Sequence, residues 1–269
     1  MSSLASSLSI LGLFGPDRSA ITAEAITESL GFTRPTGYRY IRELVASGLL
    51  VRLAPGTYAL GPRIIELDWQ IRQSDPLLRA GLPVIQELSS ATGFEVNLIG
   101  RYGDHIVTTH QQHGLERLPL SFGRGRPMPL FRGAGSKIIV AHFPRARLRK
   151  LYESHREEAR LANLGVQWEE VRQSLNAVRK QGVAISHGEL DPGYVGVAAP
   201  VFSADGDVLG SVIAALSRQR LAVTDLERLT NRIRAAGQTV SLRLAELDVG
   251  DQRSSTASPY QAPLAKRRA

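Results

Sequence analysis

The sequence predicts an α+β protein in which a winged helix-turn-helix leads, through a helical linker, into a domain with a central antiparallel sheet. Three observations predict it. Residues 20–61 read as a helix, a tight turn, a second helix rich in Arg and Tyr, and then a hairpin. Residues 94–111 and 183–216 contain runs that alternate with period two, as half-buried strands do. Between and after those runs lie segments of helical periodicity suited to covering a sheet.

The opening MSSLASSLSILGLF lacks a basic start and is expected to form a first helix packed under the winged domain, not a secretory signal. Thr22 is placed to cap a helix whose apolar face carries Ala25, Ile26 and Leu30, and Gly31 to end it. Thr33 is expected to cap the second helix, with Pro35 tolerated in a first turn whose N–H groups lack internal partners. Tyr38, Ile41, Leu44 and Val45 recur at helical spacing and should face inward, leaving Thr36, Arg39 and Glu43 outside with Arg42 beside them. Residues 51–53 and 57–60 then read as two strands joined through Ala54-Pro55-Gly56, which places the winged domain at 1–61.

A helical linker is expected over 62–75, with Ile64, Ile65, Leu67 or Trp69, and Ile71 as its packing positions. A helix transmits a change of geometry that a Gly/Ser tether would absorb. Residues 76–249 are assigned to the second domain. Its expected elements are a helix opening at Pro76, a hairpin of 94–101 and 105–111 around Tyr102-Gly103-Asp104, and helices at 134–143, 145–155 and 168–181. Strands at 183–186, 195–202 and 208–216 follow, then a long helix to about Leu247 behind a capping box at Thr224-Asp225-Leu226-Glu227. Residues 250–269 have almost no apolar periodicity and are expected to be a disordered basic tail, in which Lys266-Arg267-Arg268 is a solvated run before it is a DNA contact.

A chain of 269 residues with 43% hydrophobic and 22% charged content suits two ordinary globular domains. No run of 18 apolar residues offers a membrane span, and the absence of cysteine excludes disulfides and thiolate metal sites. A cytoplasmic protein is expected. The formal net charge of +8 is unevenly placed: residues 1–75 carry seven basic and seven acidic side chains, residues 76–249 a net +5 and residues 250–269 a net +3. General attraction to phosphate is therefore weak support for DNA binding, and the motif carries that expectation.

Thr33-Arg34-Pro35-Thr36-Gly37-Tyr38-Arg39, followed after the hairpin by Tyr58-Ala59-Leu60-Gly61-Pro62-Arg63, resembles the IclR-type bacterial transcriptional regulators. These usually show a run close to P-R-S-T-x-Y-R at the recognition helix and Y-x-L-G-x-R after the wing. The likeness continues through 129–137 and 182–216, so it covers nearly the whole chain. It implies a winged domain that binds an operator in double-stranded DNA, a GAF-like effector domain, and a homodimer or a dimer of dimers without membrane attachment or cofactor. Thr33, Arg34, Thr36, Tyr38, Arg39 and Arg42 are the expected DNA-contact residues, with Arg52 on the wing. Arg suits base reading because it grips guanine O6 and N7 with two parallel hydrogen bonds. Two positions depart from the family pattern: Pro35 replaces a common Ser, and Gly37 sits inside the helix at a cost of roughly 1 kcal/mol relative to Ala.

By the same resemblance, a small effector would meet Ala134, Gly135, Ser186, Gly196, Ile213 and Ala215. Relatives that bind small polar acids tend to place an Asp near Ser186 and serines near Ile213 and Ala215; this chain is more apolar there. The expectation is a carboxylic acid, bulkier and less polar, in the extreme aromatic, seated on the free N–H groups where Gly133-Ala134-Gly135-Ser136-Lys137 opens a helix. That run lacks the order of a nucleotide-binding P-loop. Arg124 and Arg126 could add positive potential.

Enzymatic patterns are poorly supported. His110 and His113 lack an evident third metal ligand, and Ser186-His187 lacks the G-x-S-x-G elbow of a hydrolase. Adjacent strand residues also face opposite ways. The alternative retained is a ligand-binding oligomer whose winged domain does not read DNA.

Overall fold

The computed structural model describes residues 2–252, which divide into two compact units on either side of the Asp75–Pro76 step. In the first, α1 (Ser3–Leu8) is capped by the Ser2 hydroxyl, which accepts the Ala5 N–H at 3.2 Å, and runs into a 3-10 turn (Ser9–Leu13) that buries Ile10. A strand not expected from the sequence, β1 (Ile21–Thr22), precedes α2 (Ala23–Leu30). Then come α3 (Arg34–Ala46), β2 (Leu50–Ala54), β3 (Thr57–Leu60) and α4 (Arg63–Ser74). The sheet order is β1-β3-β2, so the wing is a hairpin with a third, two-residue strand along its edge.

The helix-turn-helix is set by ordinary local chemistry. Thr22 Oγ1 accepts from the Ala25 N–H at 3.2 Å, and Gly31 ends α2 at φ 64°, a left-handed conformation that glycine adopts without strain. Two expectations for α3 are corrected. Thr33 stands at the N-cap, but its hydroxyl bonds Thr36 Oγ1 at 3.0 Å instead of a backbone N–H; Pro35, at the second helical position, has no N–H to offer. Tyr40, absent from the expected inward set, is buried beside Ile26, Ile41, Leu44 and Leu50, while Tyr38 is half-buried and packs against that core. Gly37 has a structural reason. A Cβ there would lie 2.1 Å from Thr27 Cγ2, so its bare backbone lets α3 cross close over α2.

The linker helix also differs from expectation. None of its side chains is buried within the chain; Ile65, Trp69 and Ile71 are 74%, 62% and 53% exposed, against half-burial of Ile64 and Leu67.

The second unit begins with α5 (Pro76–Thr92) and the hairpin β4 (Glu95–Tyr102) and β5 (His105–Gln112). Four helices follow: α6 (Ala134–Val140), α7 (Arg145–Ser154), α8 (Arg156–Leu161) and α9 (Trp168–Gln181). Strands β6 (Ala184–His187), β7 (Tyr194–Phe202) and β8 (Val208–Ser217) complete a five-stranded antiparallel sheet ordered β5-β4-β8-β7-β6. A short α10 (Arg218–Ala222) leads to α11 (Leu226–Gln252).

Strand alternation sorts the sheet into two cores. Val96, Leu98, Val197, Val212 and Ala214 pack with Ile85 of α5 and Ile233 and Val240 of α11. On the other face Ile99, Ala198 and Ile213 pack with Ile138 of α6 and Leu175 of α9. The cap of α11 is Asp225, whose Oδ1 accepts the Arg228 N–H at 3.0 Å; Thr224 Oγ1 instead donates to the Arg220 carbonyl at 2.6 Å. The helix continues to Gln252, into the stretch expected to be disordered; Lys266-Arg267-Arg268 lies outside the described residues.

Gly37→Ala tests the close crossing. Helix propensity alone favours Ala by about 1 kcal/mol, yet overpacking against Thr27 is expected to destabilise the fold by about 1–3 kcal/mol. Thr27→Ser, which removes the obstructing methyl and keeps the hydroxyl, should restore most of the loss in a double-mutant cycle followed by urea unfolding.

Candidate nucleic-acid face and effector pocket

Helix α3 presents its cations away from its core. At 100° per residue, Arg39 and Arg42 lie within about 30° of the direction opposite Gly37, Tyr40, Ile41 and Leu44. Both are exposed, as is Arg34. The Arg39 guanidinium rests over the Tyr40 ring at 5.2 Å and Arg34 over the Tyr38 ring at 5.7 Å, which limits their freedom before any contact is made. Tyr38 donates its hydroxyl to Glu24 Oε1 at 2.6 Å, and that bond, more than the nearby Arg34 charge, holds the Glu24 carboxyl below its ordinary range. Tyr38 therefore braces α3 against α2. Thr33 and Thr36 bond each other, and Arg52 on β2 donates to the Ala54 carbonyl at 3.3 Å. Six of the seven expected DNA-contact residues thus lie on α3 or its cap, and the seventh on the wing.

In the second unit, Ala134, Ser186, Gly196, Ile213 and Ala215 converge on one cavity, walled also by Asn97, Ile99, Thr108, Phe122 and Leu190. The convergence is tight: a Cβ on Gly196 would lie 3.0 Å from Ser186 Oγ, 3.0 Å from Ile213 Cδ1 and 3.5 Å from Ala134 Cβ. Gly135 does not line it. A Cβ there would strike Ile99 Cδ1 at 2.3 Å, and its carbonyl accepts from Ser211 Oγ at 3.0 Å, so Gly135 seats α6 on the sheet. The cavity measures about 60 Å³, under half of the roughly 150 Å³ of an apolar cavity that takes up benzene. A bulky aromatic ligand does not fit this arrangement.

The expected carboxylate seat is already taken by the chain itself. Glu189 Oε2 accepts the Gly133 N–H at 2.8 Å, and Glu189 Oε1 pairs with the Lys137 ammonium. The side chains of Lys137 and Glu189 are only 8% and 14% exposed. Arg132 donates to the Glu189 carbonyl, and Asp191 accepts the Ser121 N–H, so the segment after β6 is tied at both α6 and the 118–128 loop. Arg124 and Arg126 serve that loop as well, donating to the carbonyls of Thr109 at 2.8 Å and Ser121 at 2.6 Å. No cation is among the residues lining the cavity, whereas Glu189 and Asp191 both are.

Sequence reasoning missed the pairing of Glu189 with Lys137, because a contact across 52 positions leaves no local pattern. Asn97 was missed although a signal existed. It is an amide within the apolar run Val96–Ile99, on a strand whose register sets it opposite Ile213. His113 lies 3.3 Å from Glu95 Oε2, and no group of His, Asp and Glu among the described residues is arranged to hold a metal.

A winged helix with exposed arginines, followed by a separate sheet domain, is the architecture of a DNA-binding regulator. The family models described as "IclR helix-turn-helix domain" and "Bacterial transcriptional regulator IclR C-terminal" match residues 3–54 and 70–242. The chain belongs to the IclR family of bacterial transcriptional regulators and is a DNA-binding protein of that family. It is 24% identical to the HTH-type transcriptional regulator KipR of Bacillus subtilis over 88% of this chain and 95% of that one. It is 26% identical to the DNA-binding transcriptional repressor YiaJ of Escherichia coli over 81% and 79%. Among solved structures, an IclR homologue from Microbacterium hydrocarbonoxydans complexed with 4-hydroxybenzoate has the same fold, with a TM-score of 0.71, 22% identity and coverage of 91% and 100%.

Lys137→Met would leave the Glu189 carboxylate buried without its partner. A loss of about 3–5 kcal/mol in unfolding free energy is expected. Pairing that change with Glu189→Gln should cost less than the single substitution, as urea unfolding of both chains would register.

Proposed function

We propose that this protein is a transcriptional regulator whose operator affinity is set by a small organic effector bound in the cavity between the sheet and α6. The single observation that carries the reading is the convergence of Ala134, Ser186, Gly196, Ile213 and Ala215, far apart in sequence, on one cavity. The 4-hydroxybenzoate complex of the Microbacterium homologue supports a small-molecule effector for the fold. Arg39 and Arg42 read bases in the major groove; Arg34 and Thr36 hold the backbone, Thr33 and Tyr38 shape the helix entry, and Arg52 meets the DNA from the wing.

The working form is a homodimer, since each reading helix serves one half-site. The exposed Ile65 and Trp69, one helical turn apart on α4, support it, because an apolar stripe of that kind is covered by a partner. Pairs of dimers would extend the same logic. Effector and DNA act reciprocally: whatever factor the effector imposes on operator affinity, DNA imposes on effector affinity. The setting is cytoplasmic, where operator DNA is accessible, and among the described residues no helix is long and apolar enough to cross a membrane.

Arg39→Ala should weaken binding to a DNA site selected from random sequence by about tenfold to a hundredfold, with folding unchanged. Gel-shift titration at fixed salt measures it. Full retention of specific binding would rule out this face of α3 and favour a winged domain that does not read DNA.

A further inference from the structure

We propose that the effector is an uncharged molecule bearing a hydrogen-bond donor, that Asn97 receives this donor, and that Glu189 keeps acids out of the pocket. The inference rests on the effector-sensing reading and names its ligand class.

Asn97 is the polar group in the cavity wall whose needs the protein leaves unmet. The residue is 6% exposed, and its Oδ1 is buried without a hydrogen-bond partner. A buried amide oxygen in that condition is costly, and the great majority of such atoms are paired. Its neighbours are already engaged or apolar. Thr108 Oγ1 donates to the Phe122 carbonyl at 3.0 Å, while Ile99 and Ile213 offer only hydrocarbon. Glu95, on the same face of β4, is fully buried but satisfied by Gln111, His113 and the Leu118 N–H. The unmet acceptor therefore stands at the cavity and asks for an O–H or N–H.

Charge points the same way. An acid entering the cavity would meet two carboxylates, Glu189 and Asp191, and no lining cation. The ammonium of Lys137 would be the natural attraction, but Glu189 holds it in a nearly buried pair, with the Gly133 N–H as a second donor to the same carboxylate. An external carboxylate would have to displace a tethered one whose loop is also anchored through Arg132 and Ser121. The tethered group wins at any ordinary concentration, since its effective concentration is that of an intramolecular partner. The volume of about 60 Å³ limits the ligand to a few heavy atoms in this arrangement.

The test uses the full chain and two matched probe pairs, propan-1-ol with propanoate and propane-1,2-diol with lactate, in thermal-shift and calorimetric titrations. Wild type should be stabilised saturably by an alcohol and by neither acid. Asn97→Leu should weaken alcohol binding by about tenfold. Without any probe it should also raise Tm by about 2–4 °C, because it removes an unpaired buried acceptor. Glu189→Ala should melt below wild type and recover with propanoate, which then pairs with Lys137. Saturable binding of an acid to wild type, a lowered Tm for Asn97→Leu, or alcohols that leave wild type unshifted would each overturn the proposal. Should Glu189→Ala not fold, the wild-type and Asn97→Leu measurements decide alone. Operator binding by wild type, with and without the alcohol, separates the outcomes: an alcohol that binds without changing operator affinity would count against the regulatory reading, whereas intact operator binding with no bound alcohol confines the failure to the ligand class.

Discussion

The buried pair between Lys137 and Glu189 is the constraint on which the second domain's site depends. It joins the first turn of α6 to the segment between β6 and β7, two parts of the chain with no local reason to meet. Burying both charges is costly unless each is hydrogen-bonded, and the Gly133 N–H supplies part of that satisfaction. The ties around it, Arg132 to the Glu189 carbonyl and Asp191 to Ser121, fix the loop that closes one side of the cavity. A pair of this kind contributes little net stability, and it holds the 189–191 segment in one place against α6.

The winged domain buries one face of α3 through Tyr40, Ile41 and Leu44 and leaves Arg39 and Arg42 outward on the other. The bare backbone of Gly37 lets α3 lie against α2, and Tyr38 bridges the two helices through Glu24. The Tyr38 and Tyr40 rings then support Arg34 and Arg39. Ordering these side chains beforehand reduces the entropy lost on binding. The neutral balance of residues 1–75 fits this design: local geometry, more than bulk charge, places the cations.

Between these parts of the chain, α4 leaves Ile65, Trp69 and Ile71 exposed while Ile64 and Leu67 are half-buried.

Much of this was determined by the sequence itself. Period-two runs located the sheet strands, Gly31 marked the end of α2, and the separated Thr33–Arg39 and Tyr58–Arg63 motifs placed α3 and the wing. These features are local, written within a few residues of where they act. The misses were of two kinds. At Thr33 and Thr224 the residue type was right for a cap, but a neighbouring proline or aspartate changed which hydroxyl or carboxylate did the bonding. At Ile65 and Trp69 the helical period was right, but period alone does not say whether an apolar face packs inside one chain. Only the tertiary structure decided the chemistry of the pocket. Glu189 at Lys137, Asn97 at Ile213 and the near-contact of Ser186 with Gly196 are meetings of strands and loops brought together by the sheet order β5-β4-β8-β7-β6, and pairings across such distances leave no trace in the local spacing of residues.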